Sequence, residues 1–255
     1  MSTRGGGFDT AYFPRLAALE AGNFWFRARN RLLLRLLDRH GGSVRDYLEV
    51  GCGTGFVLSA VAARFPGWQV TGSEYLPGSL RFAGQRVPRA GLLRLDARAL
   101  PFTAAFDAIG AYDVLEHIDD DLLALRSLRQ ALRPGGIVVL SVPQHPWLWS
   151  RQDDAAHHVR RYARGELEGK LRETGFEPAW SSSFTALLLP LMALSRLRPQ
   201  RADAEHDALA ELALPRPLDA AFECVMRAEE ALHAIGLRFP AGGSRVVVAR
   251  RGEPR

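Results

Sequence analysis

Apolar positions along the chain change between helical spacing and short continuous runs, and this pattern predicts an α/β protein. Residues 11–39 carry apolar side chains at helical spacing, and Gly41-Gly42 ends that helix. The predicted strands beyond it cover residues 44–50, 68–74, 91–97, 106–115, 137–143, 176–183 and 244–251. The predicted helices between them cover residues 55–65, a short segment from about Pro77, 119–133 and 165–174. Alternating strands and helices predict a parallel sheet with right-handed crossovers, in which ligands bind at the carboxyl ends of the strands.

Composition narrows the class of protein. A chain of 255 residues that is 47% hydrophobic can bury one sizeable core. Its net charge of +5 comes almost wholly from arginine, and no dense basic run with aromatic residues indicates a nucleic-acid partner. Cys52 and Cys224 are too far apart in sequence for a zinc knuckle or a disulfide framework, which favours a reducing, cytoplasmic location. The N-terminus has no apolar signal-peptide core, and the longest apolar stretch, residues 184–194, is shorter than the roughly 20 residues of a spanning helix, so we expect a soluble protein.

The segment "LEVGCGTGF", residues 48–56, carries glycines at three alternate positions directly after the first predicted strand. A tight strand-to-helix turn explains one or two of them, whereas a nucleotide lying against the backbone needs a bare loop. Two acids support the second interpretation. Glu74 ends the second predicted strand, where a carboxylate accepts hydrogen bonds from ribose hydroxyls, and Asp96 ends the third, where it could hold an exocyclic amine. The pattern therefore favours a nucleoside site.

The acid ahead of the first glycine separates two candidate cofactors. The dinucleotide fingerprint is GxGxxG, whereas this chain has GxGxG with Glu49 two residues earlier. Glu49 would repel a pyrophosphate, but it could help to hold the ammonium group of an amino-acid cofactor. The loop therefore favours S-adenosylmethionine (SAM) over NAD.

At this point the chain resembles the class I SAM-dependent methyltransferases. The resemblance covers about residues 44–143 and rests on "LEVGCGTGF", "TGSEYL", "LRLDARALPF", "FDAIGAYDVLEHI" and "LRPGGIVVLSVP", which occur in the family's order and spacing. It implies a Rossmann-like, seven-stranded, mostly parallel sheet with an antiparallel last strand and helices on both faces. It also implies SAM as the cofactor and S-adenosylhomocysteine as the product, with the glycines contacting SAM, Glu74 the ribose and Asp96 the adenine. Asp113 would lie beside the methionine end. The predicted cofactor-binding residues are Glu49, Gly51, Cys52, Gly53, Gly55, Glu74, Tyr75, Asp96, Ala97 and Asp113.

The loop after the fifth predicted strand supplies candidates for the acceptor side. Its "HPWLWS" and "HHVRRY" segments, together with "FWFRARNRLLL" near the N-terminus, resemble a group of bacterial methyltransferases. The predicted catalytic residues are His117, His158 and Tyr162, and the predicted acceptor-binding residues are His145, Trp149, Arg160 and Arg161. Two alternatives stay open, since His117 could be a structural contact and the arginines could pair with Asp153 and Asp154 instead of an anionic acceptor. No metal site is predicted, because the adjacent side chains of His157 and His158 should diverge.

These interpretations give one domain with an N-terminal helical cap at 1–40, a SAM-binding core at 41–143, an acceptor loop at 144–164 and a helical insertion or lid at 184–240. Residues 199–217 are predicted to be a mobile lid or linker. Residues 184–198 should form a core or lid helix, with an interfacial helix that contacts a membrane as the alternative. The predicted function is methyl transfer from SAM to oxygen or carbon of a small or lipid-linked acceptor. The alternative function is that of a SAM-binding regulator or scaffold that transfers no methyl group.

Overall fold

The computed structural model describes residues 12–76, 78–196 and 213–252. Within these residues, seven strands form one sheet in the order β3-β2-β1-β4-β5-β7-β6. The strands are β1 (Asp46–Val50), β2 (Gln69–Glu74), β3 (Gly91–Arg94), β4 (Phe106–Tyr112), β5 (Leu132–Pro143), β6 (Phe176–Phe184) and β7 (Ser244–Arg251). The β7 strand is antiparallel to both of its neighbours, while the pairs among β1 to β5 are parallel. The predicted Rossmann-like α/β class and its antiparallel last strand are confirmed.

Helices cover both faces of the sheet because its central strands are apolar on both sides. In β1, Tyr47 packs into the apolar cluster on one face, and Leu48 packs into the cluster on the other. The helices are α1 (Phe13–Leu19), α2 (Phe24–His40), α3 (Phe56–Arg64), α4 (Leu80–Arg86), α5 (Asp121–Ala131), α6 (Arg151–Ala155), α7 (Glu166–Glu173), α8 (Leu189–Arg196) and α9 (Arg216–Ala234). The segment 144–164, predicted to be a loop, therefore contains a short helix, α6.

The N-terminal region differs from the single helix predicted for residues 11–39. A 3-10 turn at Glu20–Gly22 separates α1 from α2, and Asn23 caps α2 by accepting a hydrogen bond from the Trp25 amide (2.9 Å). The helical pattern predicted continuity, but a glycine followed by a good capping residue favours a break and a new helix. Asn23, which had no predicted role, sets the direction of α2.

A ladder of ion pairs joins α2 to α9. Arg27, Arg31 and Arg35 lie one helical turn apart on α2, so they share one face. Arg27 pairs with Asp219 (2.7 Å), and Arg31 pairs with Glu223 (2.9 Å). Glu230 accepts from both Arg31 (2.8 Å) and Arg35 (2.7 Å). The ladder holds α9 against the N-terminal helices.

Several predictions fall partly outside the described residues, among them the N-terminal cap at 1–40, which is described from residue 12, and the insertion at 184–240, which lacks residues 197–212. The predicted lid or linker at 199–217 is described only from residue 213, the interfacial segment 184–198 only to residue 196, and the start of the short helix at Pro77 not at all. Among the described residues, no helix has both the length and the apolar composition needed to cross a bilayer.

The ion-pair ladder predicts a measurable contribution to stability. Replacing Glu230→Ala removes the acceptor shared by two arginines, and the free energy of unfolding should fall by about 1 kcal/mol. For a chain of this length that corresponds to a drop in melting temperature of about 2–4 °C. The matched control is Asp38→Ala, which removes a single pair with Arg64 whose two side chains are each 54% exposed, and it should change the melting temperature little. Equal effects of the two substitutions would contradict a structural role for the ladder.

Candidate functional site

A cavity of about 520 Å³ opens at the carboxyl ends of β1 and β4. The chain leaves these two strands in opposite directions across the sheet, and ligands of parallel sheets bind at such a point. The glycine loop after β1 and the segment Asp113–His117 after β4 line it from the sheet side. Residues of the N-terminal helices, of α8 and of the start of α9 line it from the opposite side. The predicted N-terminal cap and the predicted helical insertion therefore both contribute to the wall of the cavity.

The three glycines of the loop have positive φ angles but face different surroundings. Gly51 (φ +68°) lies against Val114, and a Cβ there would overlap the valine side chain. Gly55 (φ +78°) begins α3, and a Cβ there would lie 2.7 Å from the Cα of Ala83. Gly53 (φ +52°) has no described atom within 4 Å of the position of a Cβ, and it lines the cavity. Packing thus explains two glycines, and the third leaves bare backbone towards the cavity.

Glu74 supports this loop from the end of β2. Its carboxylate accepts from the amide of Gly53 (3.0 Å) and from the amide of Tyr75 (2.8 Å). Burial raises the pKa of Glu74, and these backbone hydrogen bonds oppose the shift. Asp96 forms a bidentate pair with Arg98 (2.7 Å) that lowers the pKa of the carboxyl. The cavity lining contains none of Gly55, Glu74, Tyr75, Asp96 and Ala97, so these five predicted cofactor-binding residues do not line the cavity.

Two other predicted residues, Glu49 and Cys52, line the cavity and are almost fully buried. Burial raises the pKa of Glu49 to about 8, against the opposing charge of Arg29. Burial also raises the pKa of the Cys52 thiol, which makes it a neutral wall atom and not a nucleophile. The carboxyl group of Glu49 is thus a buried acid that lacks a strong partner in the described protein.

Arg29 is a cavity residue that the sequence analysis did not identify. It forms an ion pair with Asp113, which directly follows β4, has a positive φ of +56° and lines the cavity. The guanidinium lies 4.4 Å from the ring centre of Trp25. Helical spacing in the sequence could have identified Arg29. It lies about 200° around α2 from Arg27, so it faces away from α9. The pair connects the N-terminal helices to the sheet edge.

Glu20 makes a second connection between the cap and the glycine loop. This buried carboxylate lines the cavity, accepts from the hydroxyl of Thr54 (2.7 Å) and pairs with Arg86 (2.6 Å). Arg86 also donates to the carbonyl of Ala17 (2.8 Å). The break between α1 and α2 places Glu20 here, which is why an unbroken helix did not predict it.

The acceptor side of the cavity is built around Asp153. This fully buried carboxylate accepts hydrogen bonds from His158 Nδ1 (2.8 Å) and Arg161 Nε (2.7 Å). Burial alone would raise the pKa of Asp153, but the hydrogen bonds from His158 and Arg161 hold it well below its usual range. The ring of His158 meets that of His117 edge to face with 4.8 Å between centres. His117, His158 and Arg161 all line the cavity, as does Glu116, which the sequence analysis passed over.

The burial of this side also shifts the pKa values of Glu116 and His117. Glu116 is completely buried, and burial raises its pKa well above the usual range, with the charge of Asp113 acting in the same direction. Burial lowers the pKa of His117 to about 4, and the neighbouring His158 adds to the effect. Burial therefore favours the neutral form of both side chains.

Four predicted acceptor-side residues do not line the cavity, and this corrects their predicted placement. The fully buried Tyr162 donates to Asp121 (2.7 Å), and Arg160 pairs with the same carboxylate (3.0 Å). The indole N–H of Trp149 donates to Asp154 (2.9 Å). His145 precedes a 3-10 turn with a positive φ of +65°. The loop turns Tyr162, Arg160 and Trp149 to structural partners, because Asp121 at the start of α5 and Asp154 on α6 accept their polar atoms.

Comparisons with known proteins agree with this geometry. Residues 48–140, from β1 to β5, match a family model described as a methyltransferase domain. A "Probable S-adenosylmethionine-dependent methyltransferase" of Mycolicibacterium smegmatis is 30% identical over 61% of this chain and 60% of its own length. A "Ubiquinone biosynthesis O-methyltransferase" of Chromobacterium violaceum is 32% identical over 44% of this chain and 50% of its own length. The crystal structure of the [4+2]-cyclase SpnF has a TM-score of 0.60 at 23% identity, covering 90% of this chain and 83% of that chain.

The extent of these matches limits what they show. The chain spans about 60% of the length of the first curated relative and 57% of the next two. The fold is the Rossmann-like fold of class I methyltransferases. Both the strand order and the domain matched by residues 48–140 agree with this fold. A shared fold does not by itself determine the reaction.

The surroundings of the three glycines predict an order of stability. Each substitution to alanine places a side chain at positive φ, which costs about 1–2 kcal/mol. Gly51→Ala and Gly55→Ala add an overlap with Val114 or with the backbone of Ala83, so their melting temperatures should fall further than that of Gly53→Ala. Calorimetric melting of the three variants checks this order. If Gly53→Ala had the lowest melting temperature of the three, the claim that no protein atom lies near the Cβ position of Gly53 would be wrong.

The raised pKa of Glu49 predicts a pH-dependent stability. The folded protein holds this proton up to a pKa of about 8, whereas the unfolded chain releases it near 4.5. Stability therefore falls as pH rises between these values, by up to about 1.4 kcal/mol per pH unit from this group. Glu49→Gln should remove this pH-dependent contribution to the free energy of unfolding. The stability of the variant relative to the parent should therefore increase from pH 5 to 8 and then level off. Urea unfolding at each pH measures the difference, and a constant difference would show that the Glu49 pKa is not shifted.

Proposed function

We propose that this chain binds SAM at the glycine loop and transfers its methyl group to oxygen or carbon of a small or lipid-linked acceptor. The observation that carries the proposal is the bare backbone of Gly53, which faces a cavity at the carboxyl ends of β1 and β4. The positive φ of Gly53 favours glycine, but no described atom occupies the space of a side chain there, so the backbone is open to close approach by a ligand. The match of residues 48–140 to a methyltransferase domain supports SAM as that ligand.

The charges around the loop suit an adenosyl amino acid. Glu49 lies in the wall, where an ammonium group would favour the charged form of this buried acid and lower its raised pKa. Arg29 also lines the wall, and its Nε has no hydrogen-bond partner among the described residues, so the guanidinium suits a carboxylate. Glu74, held by the Gly53 amide, retains lone pairs for ribose hydroxyls. A dinucleotide fits less well, since the loop has the spacing GxGxG and not GxGxxG.

SAM supplies an electrophilic methyl group carried on a sulfonium. The residues of the chain have to hold an acceptor nucleophile in line with it and keep water out, and such positioning alone can supply about 7–11 kcal/mol of the barrier. Trp25, Phe26, Leu188, Met192 and Phe222 form an apolar wall for the body of the acceptor. Arg161 and His158, oriented by Asp153, present polar atoms at the other end.

The rim of the cavity supports a lipid-linked acceptor as one form of this substrate. Leu191 and Leu194 on α8 are about half exposed, and Leu191 also lines the cavity. Arg196 attaches α8 to the acceptor loop through the carbonyl of Leu148 (3.1 Å). An apolar chain could extend from the cavity over this helix, and the described part of the predicted interfacial segment, residues 184–196, would then contact a membrane surface.

The competing proposal is a SAM-binding protein that transfers no methyl group. The SpnF comparison keeps it open, since that protein is described as a cyclase. Incubation with methyl-labelled SAM and a panel of hydroxylated aromatic acids, phenols and polyprenyl phenols tests the two. Methyl transfer requires labelled product and S-adenosylhomocysteine in equal amounts. Tight SAM binding without product from any member of the panel or from bacterial lipid extract would support the competitor.

The loop geometry predicts the effect of two substitutions on SAM affinity, measured by calorimetry. Gly53→Ala places a methyl group in the cavity and should weaken binding at least tenfold. The matched control is Gly135→Ala, which has a similar positive φ of +73° and no described atom near its Cβ position but lies outside the cavity lining. It should cost similar stability and leave affinity unchanged. Glu74→Ala should weaken binding by about 1–3 kcal/mol. Unchanged affinity in Gly53→Ala and Glu74→Ala would place SAM elsewhere.

A further inference from the structure

Three side chains with metal-binding atoms converge on the acceptor side of the cavity. Glu116 and His117 lie in the 3-10 turn Leu115–His117 after β4, and His158 comes from the loop after α6. One donor atom from each lies within 4.8 Å of the other two. No metal site was predicted from the sequence, because the adjacent side chains of His157 and His158 should diverge. In the fold, His158 lies instead against His117.

The donor atoms of this cluster lack partners. Glu116 is completely buried, and neither of its carboxylate oxygens has a hydrogen-bond partner among residues 12–76, 78–196 and 213–252. Within the same residues, the buried Nδ1 of His117 has none either. Buried polar atoms are usually satisfied, and three unpaired atoms in one cluster indicate a missing ligand. The nearby cations do not supply it, since Arg29 is paired with Asp113 and Arg161 with Asp153.

The third side chain has the outer partner that metal-binding histidines usually have. Asp153 accepts from Nδ1 of His158, which fixes the ring and leaves Nε2 for another ligand. A carboxylate bound to the far nitrogen of the ring is a common feature of metal sites, because it orients the imidazole and strengthens it as a ligand. Ser150 in turn holds Asp153 through its amide (2.8 Å). The support for His158 is thus built in.

We propose that Glu116, His117 and His158 bind a divalent transition-metal ion at the acceptor side of the cavity. One carboxylate with two imidazoles suits zinc, iron(II), cobalt(II) or manganese(II) better than magnesium or calcium, which prefer oxygen ligands. Bonds of about 2.0–2.2 Å put tetrahedral ligand atoms about 3.4 Å apart, so small side-chain rotations close the cluster around an ion. Three protein ligands leave a coordination position open towards the cavity.

The open position gives the acceptor a chemical class, a molecule with a hydroxyl group that the ion can bind. This step rests on the proposed methyl transfer, whereas the binding of the ion does not. An ion lowers the pKa of a hydroxyl that it binds, so the hydroxyl proton leaves to water. The oxygen then forms its bond to the methyl group as the sulfonium–methyl bond breaks, and that electron pair returns to sulfur.

Cobalt(II) titration of the tag-free full chain, stripped with a chelator, tests the site. The parent protein should develop visible absorption that saturates at one ion per chain, and zinc should displace it. Glu116→Gln and His158→Ala should each weaken cobalt binding at least tenfold. The matched control is His157→Asn, which changes the exposed neighbour outside the cluster and should bind like the parent. His117→Ala repeats the test if either variant fails to fold by circular dichroism.

The outcomes separate this site from the proposed function. Absence of cobalt absorption in the parent, or parental affinity in both cluster variants, overturns the site. Parental affinity in Glu116→Gln alone also overturns it, because Glu116 would then be a buried neutral acid. SAM affinity measured on the same samples reports on the cofactor site independently. Cobalt binding without SAM binding would therefore leave the metal site standing and remove the proposed function.

Discussion

The ion pair between Arg29 and Asp113 is the contact on which the cavity depends. It joins α2 to the end of β4 across the carboxyl edge of the sheet, and both side chains are largely shielded from water. A buried arginine without its acid would leave an uncompensated charge, so the pair requires the N-terminal helices to stay on this edge. Glu20, Thr54 and Arg86 make a second connection of the same kind. The N-terminal helices thus complete the wall of a site whose floor is the sheet.

The glycine loop combines two requirements that one motif does not distinguish. Gly51 and Gly55 are needed by the protein itself, because Val114 and Ala83 occupy the space of a side chain. Gly53 is free of such contacts and is held through its amide by Glu74. Glu74 at the end of β2 therefore positions the glycine loop whether or not a ribose is bound. A single carboxylate can serve the fold and the proposed cofactor because it has more acceptor sites than the loop uses.

The acceptor loop shows how a polar segment divides between structure and site. Asp153 and Asp121 each gather two or more donors, and the donors on Asp121 are turned out of the cavity. The donors on Asp153 remain at the wall, where they meet Glu116 and His117. Two of the predicted acceptor-side residues that line the cavity, His158 and Arg161, share this one buried acid. The chemistry of this side accordingly depends on Asp153, which the sequence analysis considered only as a surface partner of the arginines.

Local patterns in the sequence determined the strand and helix order, the parallel sheet, and the position of the glycine loop at a strand end, whereas the antiparallel last strand was expected only from the resemblance to class I methyltransferases. The first three follow from periodicity, glycine conformations and strand-end acids, which act over a few residues. The break at Glu20–Gly22, the inward face of Arg29, and the meeting of Glu116 and His117 with His158 came only from the tertiary structure. So did the separation of Tyr162 from the cavity, since its partner Asp121 lies 41 residues away. Sequence spacing does not encode which distant side chains share a buried charge, and burial of charge decided these placements.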